Sequence, residues 1–315
     1  NNVQTQLGGM VDGNPWLAKG EARIILNEVN SRNPSQLNGF VEVAGKKAQV
    51  VIANPAGISC DGCGFINANR ATLTTGQPQM KNGSLTGFSV ERGEIQITGK
   101  GMDASRTDYT DIIARSVKIN AGIWAQDLKV TTGRNNVDIA HGQIEKKTGD
   151  VSSQPQMALD VASLGGMYAG KIRLVGTETG VGVRNAGHIG AQAGAVTLTA
   201  DGRIENSGSI SAKTDVHLAT TRELHNSGSV YAGQDTQIQS DGVFTHTGSV
   251  ASRRNTRIQT ARLTGSERSL LAAGVKDDGR LAEAGNLTVS TTGELAAHGQ
   301  VLSGGDMQLK GQGLD

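Results

Sequence analysis

The 315-residue sequence has few aromatic residues, few prolines, two cysteines and almost no net charge. With four Phe, three Tyr and two Trp, an ordinary globular core of this size would be short of large side chains. Thirty basic residues against 29 acidic ones give a net charge of +1, so the charge does not favour a nucleic-acid partner. These absences favour a narrow core filled by small aliphatic side chains.

The sequence also lacks the long apolar run of a membrane protein. No segment reaches the ~18 consecutive apolar residues that a membrane-spanning helix needs. There is no signal peptide and the chain begins at Asn1, so we expect a processed or truncated chain. No polar cap follows the last strand-like repeat. Because an uncapped β-helix end would expose strand edges, we expect the natural protein to continue beyond Asp315.

Four segments repeat at a spacing of twenty residues, and this spacing is the main structural signal in the chain. A fixed period in this range predicts a solenoid, in which each repeat buries its apolar side only against its neighbours. The repeating sets are Leu198, Leu218, Ile238 and Ile258; Val196, Val216, Thr236 and Thr256; Ile204, Leu224 and Phe244; Ile210, Val230, Val250 and Leu270; and Gly208, Gly228 and Gly248.

Each repeat holds three short alternating segments separated by Gly, Asn, Asp or Ser, which predicts three strands and three turns. Three strands per twenty-residue turn are typical of an all-β fold, the parallel β-helix or β-solenoid. We expect a right-handed coil, because parallel crossover connections almost always have that hand. The first repeating set would then form one inward stack, and His217, between two inward residues, would point outward.

Strand-like segments also recur between residues 21 and 129 without the strict period, so we expect less regular coils with extra-helical hairpins. Residues 132–156 are polar and predict an excursion from the β-helix. A second excursion at 275–283 explains why Ile258 is followed by its equivalent, Val289, after 31 residues. We therefore predict an N-terminal domain at 1–130, an excursion with transition coils at 131–165, and repeats at 166–315.

Asn206 and Asn226 lie one period apart, and Asn185 lies twenty-one residues before Asn206. Asparagine tolerates the left-handed turn conformation, and stacked asparagines can hydrogen-bond the neighbours above and below. We predict a structural ladder of side chains at this turn in preference to a ligand site.

Cys60 and Cys63 are the only cysteines and lie in Ser-Cys-Asp-Gly-Cys-Gly. A tetrahedral zinc site usually needs four ligands, and no second pair is present. A thioredoxin-like redox pair needs a βαβ context, which the pattern does not predict. For an exported protein we favour a small local disulfide that rigidifies a turn.

The sequence contains no convincing catalytic constellation. The six histidines lack HExxH spacing, there is no Gly-x-Ser-x-Gly elbow, and residues 180–185 depart from the dinucleotide fingerprint. The repeats also lack the calcium-binding nonapeptide. We expect no enzyme activity, no catalytic residues, no cofactor and no metal ion in this chain.

Residues 4–76 read QTQLGGMVDGNPWLAKGEARIILNEVNSRNPSQLNGFVEVAGKKAQVVIANPAGISCDGCGFINANRATLTTG. This segment closely resembles the secretion domain, or haemagglutination-activity domain, of large two-partner-secretion exoproteins. The resemblance continues through GGMYAGKIRLVG at 165–176 into haemagglutinin-type repeats, so it covers nearly the whole chain. The Cys-Asp-Gly-Cys pair makes the chain look most like contact-dependent growth inhibition exoproteins of the CdiA type, which are related to filamentous haemagglutinin.

Two family motifs match with one substitution each. Asn-Pro before Gly is itself a turn signal, because Pro fixes φ and Gly tolerates positive φ. The resemblance implies, in addition, a role in transporter recognition. The substitution removes the second Asn of each motif, and any contact that requires that amide is lost. The matching residues are Asn14, Pro15, Trp16 and Leu17 in the first motif and Asn54, Pro55, Ala56, Gly57 and Ile58 in the second.

The resemblance implies export to the bacterial cell surface or the extracellular space. The POTRA domains of a cognate outer-membrane transporter of the Omp85 type would recognise the chain in the periplasm. The chain would cross unfolded and form its β-helix outside, where each coil gains pairing and burial that oppose backsliding without ATP. It would present a distal toxin in contact-dependent growth inhibition, with a target-cell receptor bound by regions outside this chain.

Two alternatives stay open. The segment could itself be an adhesin of the filamentous haemagglutinin kind, binding host cells or glycans. A β-helix polysaccharide lyase is a remote alternative, because such enzymes need clustered Asp, Lys and Arg on one sheet face. The outward positions here are mixed: Thr197, His217, Gln237 and Arg257.

Overall fold

The computed structural model describes residues 3–5, 10–11, 24–149, 151 and 153–315, and every regular element in these residues is a strand. The chain divides into two compact units, Asn1–Ser153 and Gln154–Asp315. Each unit contains parallel strands stacked coil on coil. The prediction of an all-β parallel β-helix is confirmed, and the right hand of the coil stays a prediction.

The second unit contains twenty strands, most of them three to five residues long. In chain order they are β16 (Met157–Val161), β17 (Gly166–Gly176), β18 (Gly182–Asn185), β19 (His188–Ala191), β20 (Val196–Ala200), β21 (Ile204–Asn206), β22 (Ser209–Ala212), β23 (Val216–Thr220), β24 (Leu224–Asn226), β25 (Ser229–Ala232), β26 (Thr236–Ser240), β27 (Val243–His246), β28 (Ser249–Ser252), β29 (Thr256–Thr260), β30 (Arg262–Gly265), β31 (Leu270–Ala273), β32 (Leu287–Thr291), β33 (Leu295–Ala297), β34 (Gln300–Ser303) and β35 (Met307–Lys310).

Three parallel sheets run through the second unit, one for each strand of a coil. From β18 onward each strand pairs with the strand three places later, for example β20 with β23 and β23 with β26. Leu198, Leu218, Ile238 and Ile258 lie in register and are 0–1% exposed. His217, between buried neighbours, is half-buried and alternates with them as a strand of period two requires. The repeating glycines Gly208, Gly228 and Gly248 are stacked so closely that a Cβ on Gly208 would collide with the carbonyl oxygen of Gly187.

The predicted equivalence of Leu270 with Val250 is wrong by one residue. Val250 pairs with Leu271, and Ser249 pairs with Leu270. The turn before β31 holds four residues, 266–269, where the equivalent turn of the preceding coil holds two, 247–248. Because β27 and β30 pair one residue short of the twenty-residue step, the net slip is one residue. Ser269 closes the longer turn, since its N–H and Oγ both donate to the carbonyl of Ser266, at 3.0 and 2.7 Å. Because a shift of one residue exchanges the two faces of a strand, Leu271 is buried in place of Leu270.

Residues 275–283 leave the coil, as the sequence predicts. Ile258 pairs with Val289 across this insertion. Val275 forms an antiparallel bridge with Leu281 and is buried with Ala251 and Ala272, so the excursion covers part of a sheet face that is open to water elsewhere. The hydroxyl of Tyr231 donates to the carbonyl of Val275 at 2.9 Å and ties the excursion to the coil.

The described residues of the first unit form fifteen strands of less uniform length. They are β1 (Val3–Gln4), β2 (Met10–Val11), β3 (Ile24–Glu28), β4 (Ser35–Leu37), β5 (Phe40–Glu42), β6 (Ala48–Ala53), β7 (Ile58–Ile66), β8 (Ala68–Thr74), β9 (Gln77–Lys81), β10 (Ser84–Ser89), β11 (Glu94–Ala114), β12 (Ser116–Ile119), β13 (Gly122–Thr132), β14 (Asn135–Asp138) and β15 (Ile144–Lys146).

Parallel coils and a separate antiparallel sheet make up the first unit. The parallel pairings run from β3 to β6 to β8, and from β7 to β11 to β13, whereas β15, β14, β10 and β9 form a four-stranded antiparallel sheet in that order. Phe88 and Val137 of this sheet share a buried cluster with Val51 and Ile113 of the coils. The predicted extra-helical hairpins are thus confirmed, and β14 and β15 lie in the predicted excursion at 132–156.

Candidate functional site

The second predicted motif forms a turn between β6 and β7. The N–H of Gly57 donates to the carbonyl of Asn54 at 3.0 Å, and the N–H of Ala56 donates to Asn54 Oδ1 at 3.0 Å. Gly57 has a φ of +124°, and a Cβ there would lie 2.8 Å from the carbonyl oxygen of Glu94. Both the backbone conformation and the available space therefore require glycine at this position.

The side chain of Asn54 is committed to contacts inside the protein. Its Nδ2 donates to the carbonyl of Asn33 at 3.0 Å and to Ser35 Oγ at 2.9 Å, and the residue is 0% exposed. Asn54 therefore links its own turn to the preceding coil. Within the motif only Pro55 and Ala56 are partly exposed.

A partner at this turn would meet Pro55 and Ala56, because Gly57 and Ile58 are also buried. A role in transporter recognition stays a prediction. The first motif, Asn14, Pro15, Trp16 and Leu17, lies outside the described residues.

Cys60 and Cys63 are joined by a disulfide within β7. The two residues are 0% and 2% exposed, and the intervening Asp61 and Gly62 form a corner of the coil. Asp61 Oδ1 accepts the N–H of Lys100 at 2.9 Å, which ties this corner to the neighbouring coil. In the chain-entropy account, a bond that closes a loop of this size stabilises the fold by about 2 kcal/mol.

A buried cluster of polar and charged side chains fastens the excursion to the coils. We call it the His141 clasp, and it comprises Arg70, Asp111, Lys129, Thr131 and His141. Asp111 Oδ1 lies 2.9 Å from His141 Nδ1, and Arg70 Nη1 donates to the two carboxylate oxygens of Asp111 at 3.0 and 3.1 Å. Lys129 Nζ donates to the carbonyl of His141 at 2.6 Å, and Thr131 Oγ1 lies 2.6 Å from His141 Nε2. The clasp therefore joins β8, β11 and β13 to the loop after β14.

Burial and charge fix the protonation states in the clasp. Burial, with the nearby charges of Lys129 and Arg70, lowers the pKa of His141 although Asp111 acts to raise it, so the ring is neutral near pH 7. Burial alone would raise the pKa of Asp111, but the hydrogen bond from His141 and the charge of Arg70 help to hold it below its usual value. A neutral ring that donates from Nδ1 to Asp111 accepts the hydroxyl proton of Thr131 at Nε2.

Asp111, His141 and Thr131 are connected as the carboxylate, imidazole and hydroxyl of a hydrolase triad are. All three residues are at most 2% exposed. Since a substrate carbonyl cannot approach the hydroxyl of Thr131, the arrangement serves to join two parts of the fold. Sequence reasoning missed it, because its members come from irregular coils and show no motif spacing.

The predicted asparagine positions form a ladder of buried side chains. Asn185 Nδ2 donates to Asn206 Oδ1 and Asn206 Nδ2 donates to Asn226 Oδ1, both at 2.9 Å. The ladder continues to His246, whose Nδ1 lies 3.4 Å from Asn226 Nδ2 and whose Nε2 lies 2.9 Å from the carbonyl of Leu270. Burial lowers the pKa of His246, so this ring is also neutral near pH 7.

A second ladder, on the exposed turn before the first strand of each coil, was missed by sequence reasoning. A side-chain oxygen at each step accepts the backbone N–H of the equivalent residue in the next coil, at 2.9–3.0 Å. The signal was present, because an Asp or Asn stands immediately before the first strand of five successive coils, β23, β26, β29, β32 and β35. The ladder consists of Asp215, Asp235, Asn255, Asn286 and Asp306.

The described residues contain neither a candidate metal site nor a membrane-spanning helix. No group of three or more His, Cys, Asp or Glu side chains in that part of the chain could hold a metal ion. No helix within the same residues is long and apolar enough to cross a membrane.

The sequence matches two known families over most of its length. Residues 1–206 match the TPS secretion domain, and residues 208–275 and 276–315 match the haemagglutinin repeat. The first match covers more than half of the chain.

The chain is also similar to a small part of two larger named proteins. The chain is 61% identical over 301 residues to Toxin CdiA of Yersinia pestis, which covers 96% of this chain and 9% of that protein. It is 49% identical over 316 residues to tRNA nuclease CdiA-2 of Burkholderia pseudomallei (strain 1026b), which covers 100% of this chain and 10% of the relative. The chain thus spans about a tenth of the length of these two relatives.

The fold is similar to a solved structure. The crystal structure of the filamentous hemagglutinin secretion domain superposes with a TM-score of 0.64 and 32% identity, over 76% of this chain and 80% of that one. The chain therefore belongs to the two-partner-secretion exoproteins, which are secreted to the cell surface or the extracellular space and whose secretion domain implies a cognate transporter as partner.

Proposed function

We propose that this chain is the secretion domain and proximal filament of a large exoprotein that a cognate outer-membrane Omp85-type transporter exports and that presents a distal toxin in contact-dependent growth inhibition. The observation that carries the proposal is the match of residues 1–206 to the TPS secretion domain, in a chain that spans about a tenth of two relatives, one named as a toxin and one as a tRNA nuclease. A segment of that size supplies export and a stalk. The toxic activity and the target-cell receptor site then belong to the rest of the protein.

By the same proposal, this chain is not itself an enzyme and does not bind nucleic acid. The word nuclease belongs to relatives that this chain matches over only 10% and 6% of their length. The net charge of +1 offers no general attraction for a polyanion. The one triad-like arrangement described above, in the His141 clasp, is buried.

The proposed export route begins with the transporter's POTRA domains meeting the unfolded chain in the periplasm. Outside the cell, each further coil pairs with the one before and buries another inward residue such as Leu218 or Ile238. Burial of one such side chain contributes about 2 kcal/mol. Successive coils would in this way oppose the return of the chain.

Within the chain we assign residues 1–130 to the secretion domain, 131–165 to the excursion and transition coils, and 166–315 to the repeats. The antiparallel strands β14 and β15 support a change of structure after residue 130. The TPS match extends to residue 206. Export of chains ending at 165 and at 206 tests where the export information ends: equal export places it before 165.

Deletion of residues 4–76 from the full exoprotein tests the export proposal. We expect loss of the protein from the cell surface, measured by protease accessibility and by immunoblot of intact cells. The matched control deletes residues 196–255, which removes three whole coils and brings Thr256 into the register of Val196. Normal export of the first variant, or equal loss of export in both, would contradict the proposal.

The exposed half of the second motif allows a finer test of transporter contact. Ala56→Asp places a charge on the partly exposed turn without removing an internal hydrogen bond, whereas Asn54→Ala removes three, two donated by its amide and one accepted from the N–H of Ala56. If the transporter contacts this turn, Ala56→Asp lowers export while the urea midpoint of the purified chain stays unchanged. If export falls in each variant only in proportion to the fall in its urea midpoint, the motif has a role in folding alone.

A second candidate function is adhesion, which the similarity to the filamentous hemagglutinin secretion domain favours. In this case the purified chain would bind host cells or glycans directly. A glycan array with the chain, and with the chain lacking residues 196–255, measures this. A blank array for the intact chain would leave the export function as the better proposal.

A further inference from the structure

The sulfur atoms of Cys60 and Cys63 are enclosed by the coils on either side of β7. In register, Leu37 lies beside Cys60 on one side and Ile97 on the other, and Met102 lies beside Cys63. Ile97 and Met102 are 0% exposed. The disulfide therefore lies in an apolar interior built by three different coils.

The neighbouring coil closes the corner that carries this disulfide. Cys60 Sγ lies 3.4 Å from the carbonyl oxygen of Gly101. The carboxylate of Asp61 accepts the N–H of Lys100 and packs against Gly99 so tightly that a Cβ on this glycine would collide with it. These contacts form only when β11 stacks on β7.

A surface pocket lies next to this corner, but it does not expose the two cysteines. It is lined by Phe40, Gly62, Lys100 and Asp103 together with Cys63, yet Cys63 is only 2% exposed. Thiol–disulfide exchange requires that an attacking thiolate reach a sulfur atom, and the exchange rate depends on that access. In the folded chain, a protein dithiol has no such access to Cys60 or Cys63.

We propose that Cys60 and Cys63 are oxidised before β11 stacks on β7, by exchange between the unfolded chain and the disulfide form of a dithiol oxidoreductase in the periplasm. The chain is then exported with the bond already made. This inference rests on the proposed function, because it requires a periplasmic stage. It adds a thiol-oxidising reaction upstream of the transporter.

The exchange proceeds in two balanced steps. One cysteine thiolate attacks the oxidoreductase disulfide, forms a mixed disulfide and displaces one oxidoreductase thiolate. The other cysteine thiolate then attacks the chain's sulfur in the mixed disulfide and displaces the second oxidoreductase thiolate. Two electrons and two protons leave the chain, and the oxidoreductase ends as a dithiol. Only Asp61 and Gly62 lie within the closed loop, so the oxidised chain remains narrow.

The rate of oxidation in the folded and unfolded chain tests the order of events. The purified chain is reduced in urea, and half is refolded without oxidant. Both samples then receive oxidised glutathione, and free thiols are counted by the mass added by a maleimide. We expect oxidation of the folded sample to be at least about 100-fold slower, since it waits for local opening. Equal rates would overturn the proposal, whereas failure of the reduced chain to fold would support it.

An exposed pair of cysteines provides the matched control. In a Cys60→Ser, Cys63→Ser background, Lys81→Cys and Ser84→Cys place the same four-residue spacing on the exposed hairpin between β9 and β10. This pair should oxidise at similar rates in the folded and unfolded chain. A slow folded rate for this pair as well would attribute the effect to the refolding conditions and remove the support for enclosure.

The in-cell test uses the full exoprotein in cells with and without the transporter. Cells without it are quenched with acid, and the periplasmic precursor is alkylated. We expect no free thiols before reduction and two after it. Free thiols in the precursor, with an oxidised secreted protein, would overturn the proposal. If the precursor is degraded before it can be alkylated, the ratio of the oxidation rates of the unfolded and folded purified chain decides whether the proposal stands. The export proposal fails on a different result, namely normal export of the variant that lacks residues 4–76.

Discussion

The two units cover the outward faces of their coils differently. In the unit Gln154–Asp315 a typical strand, β23, alternates buried and half-buried residues, so its outward side chains reach water. In the unit Asn1–Ser153, β6 is buried at all six positions, because an antiparallel sheet packs on its outward face. A strand that is covered on both faces needs no alternation of apolar and polar residues, and the sequence of β6 is accordingly a nearly continuous apolar run.

The stabilising contacts of the second unit are repeated from coil to coil, whereas those of the first unit occur at single places. The contacts of Leu218 recur one coil earlier at Leu198 and one coil later at Ile238. The His141 clasp occurs once and draws its members from three strands and a loop. We therefore expect damage in the second unit to stay close to the altered coil, and damage to the clasp to release a whole sheet.

The largest effect is expected for Leu218→Asp. The new carboxylate would lie in an apolar stack without a partner, so the free energy of unfolding should fall by more than about 4 kcal/mol. His217→Asp, on the outward side of the same strand, should change it by less than about 1 kcal/mol. Urea denaturation of both variants measures this, and equal losses would refute the assigned inward and outward faces.

Asp111→Ala should be the next most damaging change. It leaves the partly buried charge of Arg70 and the buried Nδ1 of His141 without their acceptor, at a cost of about 3–4 kcal/mol. The control is Asp160→Ala, which breaks the more exposed ion pair with Arg184 and should cost less than about 1 kcal/mol. Hydrogen exchange should show loss of protection in β9, β10, β14 and β15 for the first variant. Retained protection in that sheet would show that the clasp does not hold it.

Asn206→Ala should have a smaller effect within the second unit. It leaves an N–H of Asn185 and the Oδ1 of Asn226 buried without partners, which costs about 2–3 kcal/mol. The same change in the outer ladder, Asp235→Ala, should cost about 0.5–1 kcal/mol, because water replaces the lost acceptor. Thermal unfolding of the two variants gives the ranking, and a larger loss for Asp235→Ala would reverse the assigned roles of the ladders.

The smallest effect is expected from mild acid. His141 and His246 both have lowered pKa values in the folded chain, so between those values and 6.5 the unfolded chain binds more protons. Their contribution to stability is complete above pH 6.5 and is lost as the pH falls below it. Urea titrations at pH 7.5, 6.0 and 5.0 should therefore show decreasing stability, with a shallower slope for His246→Asn. Stability that rises on acidification would contradict this sign.

Periodic features could be predicted from the sequence, because identical positions report the same environment several times. The three-strand coil, the 31-residue step from Ile258 to Val289 and the positions of Asn206 and Asn226 all follow from the period. The shifted pairing of Val250 with Leu271 could not be predicted from the period. Ser269 lies twenty residues after Ser249 and so continues the sequence spacing, although it lies in an enlarged turn. A net slip of one residue leaves the composition and the apolar–polar alternation of the sequence almost unchanged.

The His141 clasp could not be predicted, for a physical reason. Arg70, Asp111 and His141 are separated by 41 and 30 residues, and none of them repeats at a fixed step. Their proximity depends on irregular coil lengths and on the docking of the antiparallel sheet. The disulfide was easier to anticipate, because Cys60 and Cys63 are neighbours in the sequence.

The asparagine ladder ends at His246, and the number of N–H groups explains why a fourth asparagine would fit less well. Each asparagine amide has two N–H groups, one for the next rung and one for a backbone carbonyl of the next coil. The residue that follows His246 in register is Gly265, which has no side chain to accept a bond. A neutral imidazole has only one N–H, which it donates to Leu270, and its other nitrogen receives the amide of Asn226. Histidine therefore ends the series without leaving a buried donor unpaired.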